Sequence, residues 1–171
     1  MKHTLFLLFT ILTLTAYGQH NPVPVTDGIA ITGAVKNELH ITIKDLLRYR
    51  QDTLGSVMIS NKKGEDKGLA RNMKGVLLKT LLDSAHVYAE KHKDYSELYI
   101  VLTGSDGYRN VYSWNEVFNT EVGNHVYVIT EMDGQPIAQM QSRILVMSLA
   151  DMNSGRRHLK GLAKVEVKRV Q

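Results

Sequence analysis

The sequence contains no cysteine, and this absence limits its chemistry more than any other. Without thiols the chain can form neither disulfides nor thiolate nucleophiles nor cysteine metal sites. Histidine occurs seven times, but no two histidines have the i, i+4 or His-Glu-x-x-His spacing that would bring ligands to one zinc ion. Gly-x-Ser-x-Gly, Gly-x-Gly-x-x-Gly and phosphate-loop patterns are absent as well. Thiol, zinc, serine-hydrolase and dinucleotide chemistry are therefore not expected.

Proline and tryptophan are scarce, with three and one in 171 residues, and no low-complexity run interrupts the chain. With 43% hydrophobic and 22% charged residues, the composition is that of one globular domain with a core. The formal net charge of +4 favours anionic small molecules or surfaces. Aromatic residues do not alternate with basic ones along the chain, so we predict no binding to nucleic acids.

Long hydrophobic runs are also missing, because the apolar stretch at residues 5–14 is too short to cross a bilayer. This stretch follows Lys2 and precedes Ala16 and Gly18, small residues at the two positions that a signal peptidase reads. We predict a signal peptide over residues 1–18 that is cleaved after Gly18, a linker over 19–27 and a single domain over 28–171. The protein is then periplasmic or secreted, with no membrane attachment after cleavage.

Residues 97–118 contain a strand, a turn and a helix start in direct succession. Residues 98–103 are apolar or weakly polar on both faces, which predicts a strand inside a sheet and covered on both sides. The Gly-Ser-Asp-Gly sequence at 104–107 predicts a turn. Ser113 and Glu116 have capping-box spacing, so a short helix is expected to begin at Trp114.

The remaining patterns predict an α+β fold with a β-rich mixed sheet and two or three short helices. Apolar or alternating runs predict further strands at residues 29–35, 39–43, 57–60, 126–129, 143–148 and 163–170. Helices are expected after Thr42 and over residues 76–85. Residues 61–75 are rich in glycine and basic residues and are predicted to be a long loop. This loop is either a binding loop or a solvated insertion.

A basic cluster near the C-terminus is the strongest local signal of binding. Arg156, Arg157, His158 and Lys160 follow a glycine loop, and Arg143 begins a predicted strand. Guanidinium and ammonium groups are what phosphate or carboxylate recognition requires. The alternative is a solvated basic edge that discourages pairing between strands.

Four segments, taken in order, carry a resemblance to a known family. They are ITGAVKNELHITIKDL, KGVLLKTLLDSA, VLTGSDGYRNVYSWNEVF and the pair MDGQPI with SRILVMSLADMNSGRRHLKGLAKVEV. Together they resemble the molybdopterin-binding domain of the sulfite oxidase family over roughly the whole chain that follows the signal peptide. The resemblance implies an α+β fold and a pterin cofactor that is gripped by backbone groups and basic side chains.

The resemblance also implies a set of cofactor-binding positions. Arg143, Arg157, His158 and Lys160 would lie near the cofactor phosphate, and residues 106–108 would form part of a turn of the family. We add Lys62, Lys63 and Arg71 of the basic loop to the predicted pocket. Catalytic members ligate molybdenum through a cysteine at the place that Ser60 or Asn61 occupies here. The full set is Ser60, Asn61, Arg71, Asp106, Tyr108, Arg143, Arg157, His158 and Lys160.

Since neither a hydroxyl nor an amide replaces a soft sulfur donor, we predict the family fold without its redox chemistry, with no catalytic residue and no metal ligand. Three hypotheses remain. The first is an exported, non-catalytic domain that binds a pterin-like or other anionic small molecule in a basic pocket, with a protein partner in the periplasm. The second is a molybdopterin-dependent oxidoreductase. The third is a structural or protein-interaction module whose pocket is filled by side chains.

Overall fold

A computed structural model of the chain describes residues 22–61, 63–141 and 143–170. The predicted signal peptide over residues 1–18 and Lys62 lie outside these ranges. The described end of the predicted linker is held against the domain, because the Ser105 hydroxyl donates to the Pro24 carbonyl and the Thr26 hydroxyl donates to the Leu162 carbonyl at 3.0 Å. Residues 22–27 therefore follow the surface of the fold.

The described chain forms ten strands and three α-helices. The strands are β1 (Gly28–Gly33), β2 (Leu39–Thr42), β3 (Asp52–Ser60), β4 (Asp66–Leu77), β5 (Leu98–Gly104), β6 (Arg109–Ser113), β7 (Val126–Met132), β8 (Gln135–Pro136), β9 (Leu145–Ser148) and β10 (Leu162–Arg169). The helices are α1 (Ile43–Leu46), α2 (Leu78–Ala85) and α3 (Trp114–Phe118), with 3-10 helices at His92–Glu97, Glu121–His125 and Ser154–Arg156. None of these helices is long and apolar enough to cross a membrane.

The strands form two five-stranded sheets. The first has the order β2-β1-β10-β5-β6, in which only the β1–β10 pair is parallel. The second has the order β3-β4-β7-β8, with β9 also paired to β7, and all its pairs are antiparallel. Val146 of β9 bridges to Leu159, just before β10, so this segment connects the two sheets. The predicted mixed, β-rich α+β fold is confirmed.

The main core lies between the sheets and around α2. Leu78, Leu81 and Leu82 are fully buried in it, since they lie on one face of a helix whose apolar residues recur every three or four positions. Strand β7 is buried on both faces: Val126 and Val128 join this core, while Tyr127 and Ile129 belong to a smaller cluster on the other side of the second sheet. Its apolar run is explained by this double burial.

Thr42 and Ser113 both cap their helices, but only Thr42 forms a complete capping box, because the Glu116 side chain pairs with Arg157 instead. The Thr42 hydroxyl accepts from the backbone N–H of Asp45 at 3.2 Å, and the Asp45 carboxylate accepts from the Thr42 backbone. The Ser113 hydroxyl accepts from the backbone N–H of Glu116 at 3.0 Å, so α3 begins at Trp114 as predicted. Each cap satisfies amide groups that the first helical turn leaves without partners.

The predicted loop over residues 61–75 is wrong, because most of it is β4, the longest strand in the described chain. Gly68 and Asn72 have positive φ angles of 124° and 50°, and the pairing with β3 shifts register at three places. These irregularities interrupt the alternation by which a strand is recognised in sequence. The segment between β3 and β4 is instead a short turn.

Strand β5 lies inside its sheet as predicted, between β10 and β6. The prediction that both its faces are covered is wrong. Leu98, Ile100 and Leu102 are buried, whereas Tyr99 and Val101 are half-buried on the outer face. Because the residues on the outer face are also apolar or weakly polar, the sequence does not show that this face is less buried than the inner one.

Candidate functional site

The Ser154–Arg156 3-10 turn closes the space beside the end of β3. The Ser154 hydroxyl accepts from the backbone N–H of Ser60 at 3.0 Å, and the two hydroxyl oxygens lie 3.5 Å apart. A Cβ on Gly155 would lie 2.1 Å from the Ser60 carbonyl oxygen, so only glycine fits at this position. Ser60 is thus buried where the end of β3 meets this turn.

Asn61 is used by the β3–β4 turn. Its side-chain oxygen accepts from the backbone N–H groups of Lys63 at 2.8 Å and Glu65 at 3.0 Å. Its amide nitrogen donates to the Glu65 carboxylate at 2.7 Å. Asn61 therefore shapes the turn, as asparagine commonly does where a side chain replaces a backbone partner.

Arg157 lies at the centre of a charged network. Its Nε donates to Asp151 Oδ2 at 2.7 Å, its Nη2 pairs with the same carboxylate, and its Nη1 pairs with Glu116. The guanidinium carbon lies 4.3 Å from the centre of the Tyr112 ring. The Ser148 hydroxyl donates to Asp151 at 2.8 Å. We refer to these five residues as the Arg157 network.

The Arg157 guanidinium already has acidic partners within the protein. Hydrogen bonds with Asp151 raise the pKa of Arg157; burial opposes them, and the Glu116 contact adds to them. Burial raises the pKa of Asp151, but hydrogen bonds from Arg157 and Ser148 outweigh it, and the net pKa is lowered. One guanidinium therefore faces two acidic side chains, so its charge is already matched within the protein.

His158 provides no positive charge near neutral pH. Burial, with repulsion from Lys160, lowers the pKa of His158 to about 4. Its Nε2 is buried and has no hydrogen-bond partner among the described residues. A buried nitrogen without a partner is unusual, because desolvating it costs free energy that a hydrogen bond would offset.

The predicted turn at residues 106–108 does lie next to this region. Asp106 accepts from the backbone N–H of Tyr108 at 2.9 Å, and the Tyr108 hydroxyl donates to the Arg156 carbonyl at 2.7 Å. The Lys160 carbonyl oxygen lies against Gly104, while the Lys160 side chain is exposed. Ser60, Asn61, the 106–108 turn and residues 157–160 are therefore brought together around the Ser154–Arg156 turn.

Arg143 and Arg71 are held elsewhere. Arg143 pairs with Asp27 just before β1, and the exposed Arg71 donates its backbone N–H to Asp133 at 2.8 Å beside the β7–β8 turn. In the described part of the chain, no hydrogen bond or ion pair joins either arginine to the Ser154–Arg156 turn. Arg143 and Arg71 are thus apart from the other basic residues that were expected to share one pocket. Of the two loop lysines in that prediction, Lys62 lies outside the described residues.

These residues do not fit a molybdenum centre of the kind that the resemblance implies. No thiolate is available, the Ser60 backbone is bonded to Ser154 and lies against Gly155, and Arg157 pairs with two carboxylates. Within the described ranges, no group of three or more His, Asp or Glu side chains is placed to bind a metal ion.

Sequence reasoning missed the acidic members of the network. Asp151 precedes Arg157 by only six residues in a polar loop, and this short spacing could have indicated an ion pair. Glu116 is 41 positions away and was interpreted only as a helix cap. Tyr112 lies in β6, and nothing in its sequence context indicates that a guanidinium stacks on it.

We expect Arg157→Gln to lower the free energy of unfolding by about 2–4 kcal/mol. The substitution leaves two carboxylates without their cation, and the cost is below that of a fully buried pair because these side chains keep some contact with solvent. Urea denaturation at pH 7 measures it. Arg156→Gln, at the exposed neighbouring position, is the matched control and should stay within about 0.5 kcal/mol of the wild type. Equal stability of the two variants would contradict the network's structural role.

The stability of the protein should also depend on pH through His158. Its pKa is about 4 in the fold and 6.5 in the reference state, so the unfolded chain binds a proton at higher pH than the folded protein does. The resulting stability is fully present above about pH 6.5 and is lost as the pH falls towards 4. Between pH 7 and pH 4.5 we expect roughly 2 kcal/mol more destabilisation in the wild type than in His158→Gln.

Denaturation curves measured across this pH range check the His158 prediction. The exposed His125→Gln variant is the control and should keep the acid sensitivity of the wild type. If His158→Gln and His125→Gln have the same pH dependence, His158 is not the group that responds.

Comparisons with known proteins agree with this fold. The sequence profile of the family described as oxidoreductase molybdopterin binding domain matches residues 20–169. No curated protein matches the chain. The fold is similar to the crystal structure of the sulfane dehydrogenase SoxCD from Paracoccus pantotrophus, with a TM-score of 0.63 and 15% identity over 87% of this chain and 41% of that chain. Since the profile spans nearly the whole described structure, the chain belongs to the oxidoreductase molybdopterin binding domain family.

Proposed function

We propose that this protein is a binding domain of the molybdopterin-binding family that performs no molybdenum redox chemistry. The proposal rests on Ser60, which lies where the resemblance expects a thiolate. Its backbone N–H donates to the Ser154 hydroxyl, and its carbonyl oxygen lies against Gly155. A hydroxyl at this position is not the soft sulfur ligand that molybdenum prefers.

We further propose that the ligand is a pterin-like or other anionic small molecule that binds at the exposed cations around the Ser154–Arg156 turn. Lys63, Arg156 and Lys160 are exposed and have no carboxylate partner among the described residues. Exposed ammonium and guanidinium groups can bind phosphate or carboxylate, although solvent weakens each contact. The Asp106 carboxylate beside this turn repels an anion, but the three cations outnumber it, so the net attraction increases with the negative charge of the ligand.

A second candidate function is a structural or protein-interaction module, and the Arg157 network favours it. Side chains that satisfy one another at a former cofactor position leave a scaffold rather than a pocket. This candidate shares with the first the proposal that the chain is exported by its N-terminal segment to the periplasm or outside the cell, where a protein partner would bind it.

Protein purified from its native host should contain far less than one molybdenum atom per chain. Elemental analysis by mass spectrometry measures this quantity. Protein from a host that cannot synthesise the cofactor provides the background. Stoichiometric molybdenum would instead favour the oxidoreductase and would refute the proposed loss of redox chemistry.

Binding of pterin-6-carboxylate and of inorganic pyrophosphate tests the proposed anion site. We expect the combined Arg156→Gln and Lys160→Gln substitutions to weaken binding roughly three- to tenfold, because two exposed contacts are lost. Isothermal titration calorimetry at low ionic strength measures the dissociation constants, and the exposed Lys93→Gln is the control. Absence of binding, or binding that all variants retain equally, would leave the interaction module as the better candidate.

A further inference from the structure

A cleft lies apart from the Ser154–Arg156 turn. It has a volume of about 560 Å³ and is bordered by the end of α2, the segment that follows it, the His92–Glu97 3-10 helix and α3. Small-molecule sites commonly have volumes of roughly 300–1,000 Å³. The cleft is thus large enough for a ligand of two fused rings.

Aromatic side chains form the wall of this cleft. The centres of the Tyr95 and Trp114 rings are 5.0 Å apart with their planes at 46°, and those of Trp114 and Phe118 are 5.2 Å apart with their planes at 22°. All three rings are half-buried and pack against the main core. The Tyr95 hydroxyl also donates to the Val87 carbonyl at 3.4 Å. Because packing already restrains these rings, a ligand that stacks on them orders little protein.

Nitrogen-bearing groups predominate at the rim. The Lys36 ammonium lies 5.3 Å from the centre of the exposed Tyr88 ring, and the imidazoles of His86 and His92 line the cleft. Asp83 is the one carboxylate in the lining. Burial raises the pKa of Asp83, although Lys79 and His86 oppose the shift. The rim therefore offers more donors for an anion than acceptors for a cation.

We propose that this cleft binds a planar aromatic carboxylate, with its ring against the Tyr95–Trp114–Phe118 wall and its carboxylate at Lys36. Aromatic stacking contributes about 0.5–1.5 kcal/mol beyond the burial of area, and a charge-assisted hydrogen bond orients the ligand.

The ring geometry argues against a cationic ligand. Cages that recognise quaternary ammonium groups surround the cation with ring faces. Here Trp114 and Phe118 stack nearly parallel, and the Lys36 ammonium already lies over Tyr88. A second cation in the cleft would be repelled by that ammonium. The cleft shares no lining residue with the proposed anion site, so the two binding proposals are tested independently.

The single tryptophan gives a direct readout, since Trp114 supplies the one indole N–H resonance of the chain. Titration of the nitrogen-15-labelled protein with 2-naphthoate should shift this resonance saturably. Decahydro-2-naphthoate, which has the same charge without aromatic rings, should bind roughly tenfold more weakly. A naphthylmethyl trimethylammonium ion should bind more weakly than 2-naphthoate as well.

Lys36→Gln should weaken 2-naphthoate binding roughly three- to tenfold and leave the amide resonances of the core unchanged, because Lys36 is exposed. The equally exposed Lys44→Gln, on α1, should bind as the wild type does. The proposal is overturned if the Trp114 resonance does not shift, if the saturated acid or the ammonium ion binds as tightly as 2-naphthoate, or if Lys36→Gln has no effect.

Discussion

Arg157 is the cation on which the arrangement around the Ser154–Arg156 turn depends. Its guanidinium meets Asp151 from its own loop and Glu116 from α3, while its flat face covers Tyr112 of β6. One side chain therefore holds together a loop, a helix and a strand that are distant in sequence. Removing a charge from such a network leaves its partners desolvated and unpaired, which costs more than forming the network gains.

A second set of contacts holds the end of β3 against the Ser154–Arg156 turn. In this chain the backbone at Ser60 is bonded to Ser154, and Gly155 permits the two loops to touch. His158 Nε2 is buried near these contacts and has no hydrogen-bond partner in the described part of the chain, so it is an exception among polar groups that otherwise find partners here.

Local patterns in the sequence predicted local structure well. The Thr42 and Ser113 caps, the 104–107 turn and the alternation in β10 depend on neighbours within a few positions, and each was found. Strand β4 was missed because Gly68 and Asn72 break its alternation. The site was harder to predict, because basic residues that are close in sequence form an anion-binding pocket only if acidic side chains do not already pair with them. For Arg157 and Arg143 those counter-ions come from other parts of the chain.

Helix α3 has only five residues, too few to be stable alone. Its orientation is set by the Ser113 cap, by Val117 in the core and by Glu116 on Arg157. Trp114 and Phe118, one turn apart, extend from this same helix into the aromatic cleft. A single helical turn is therefore the rigid body common to the ion pair and the ring wall. A ligand that shifts α3 from the aromatic cleft would therefore also strain the Glu116–Arg157 ion pair.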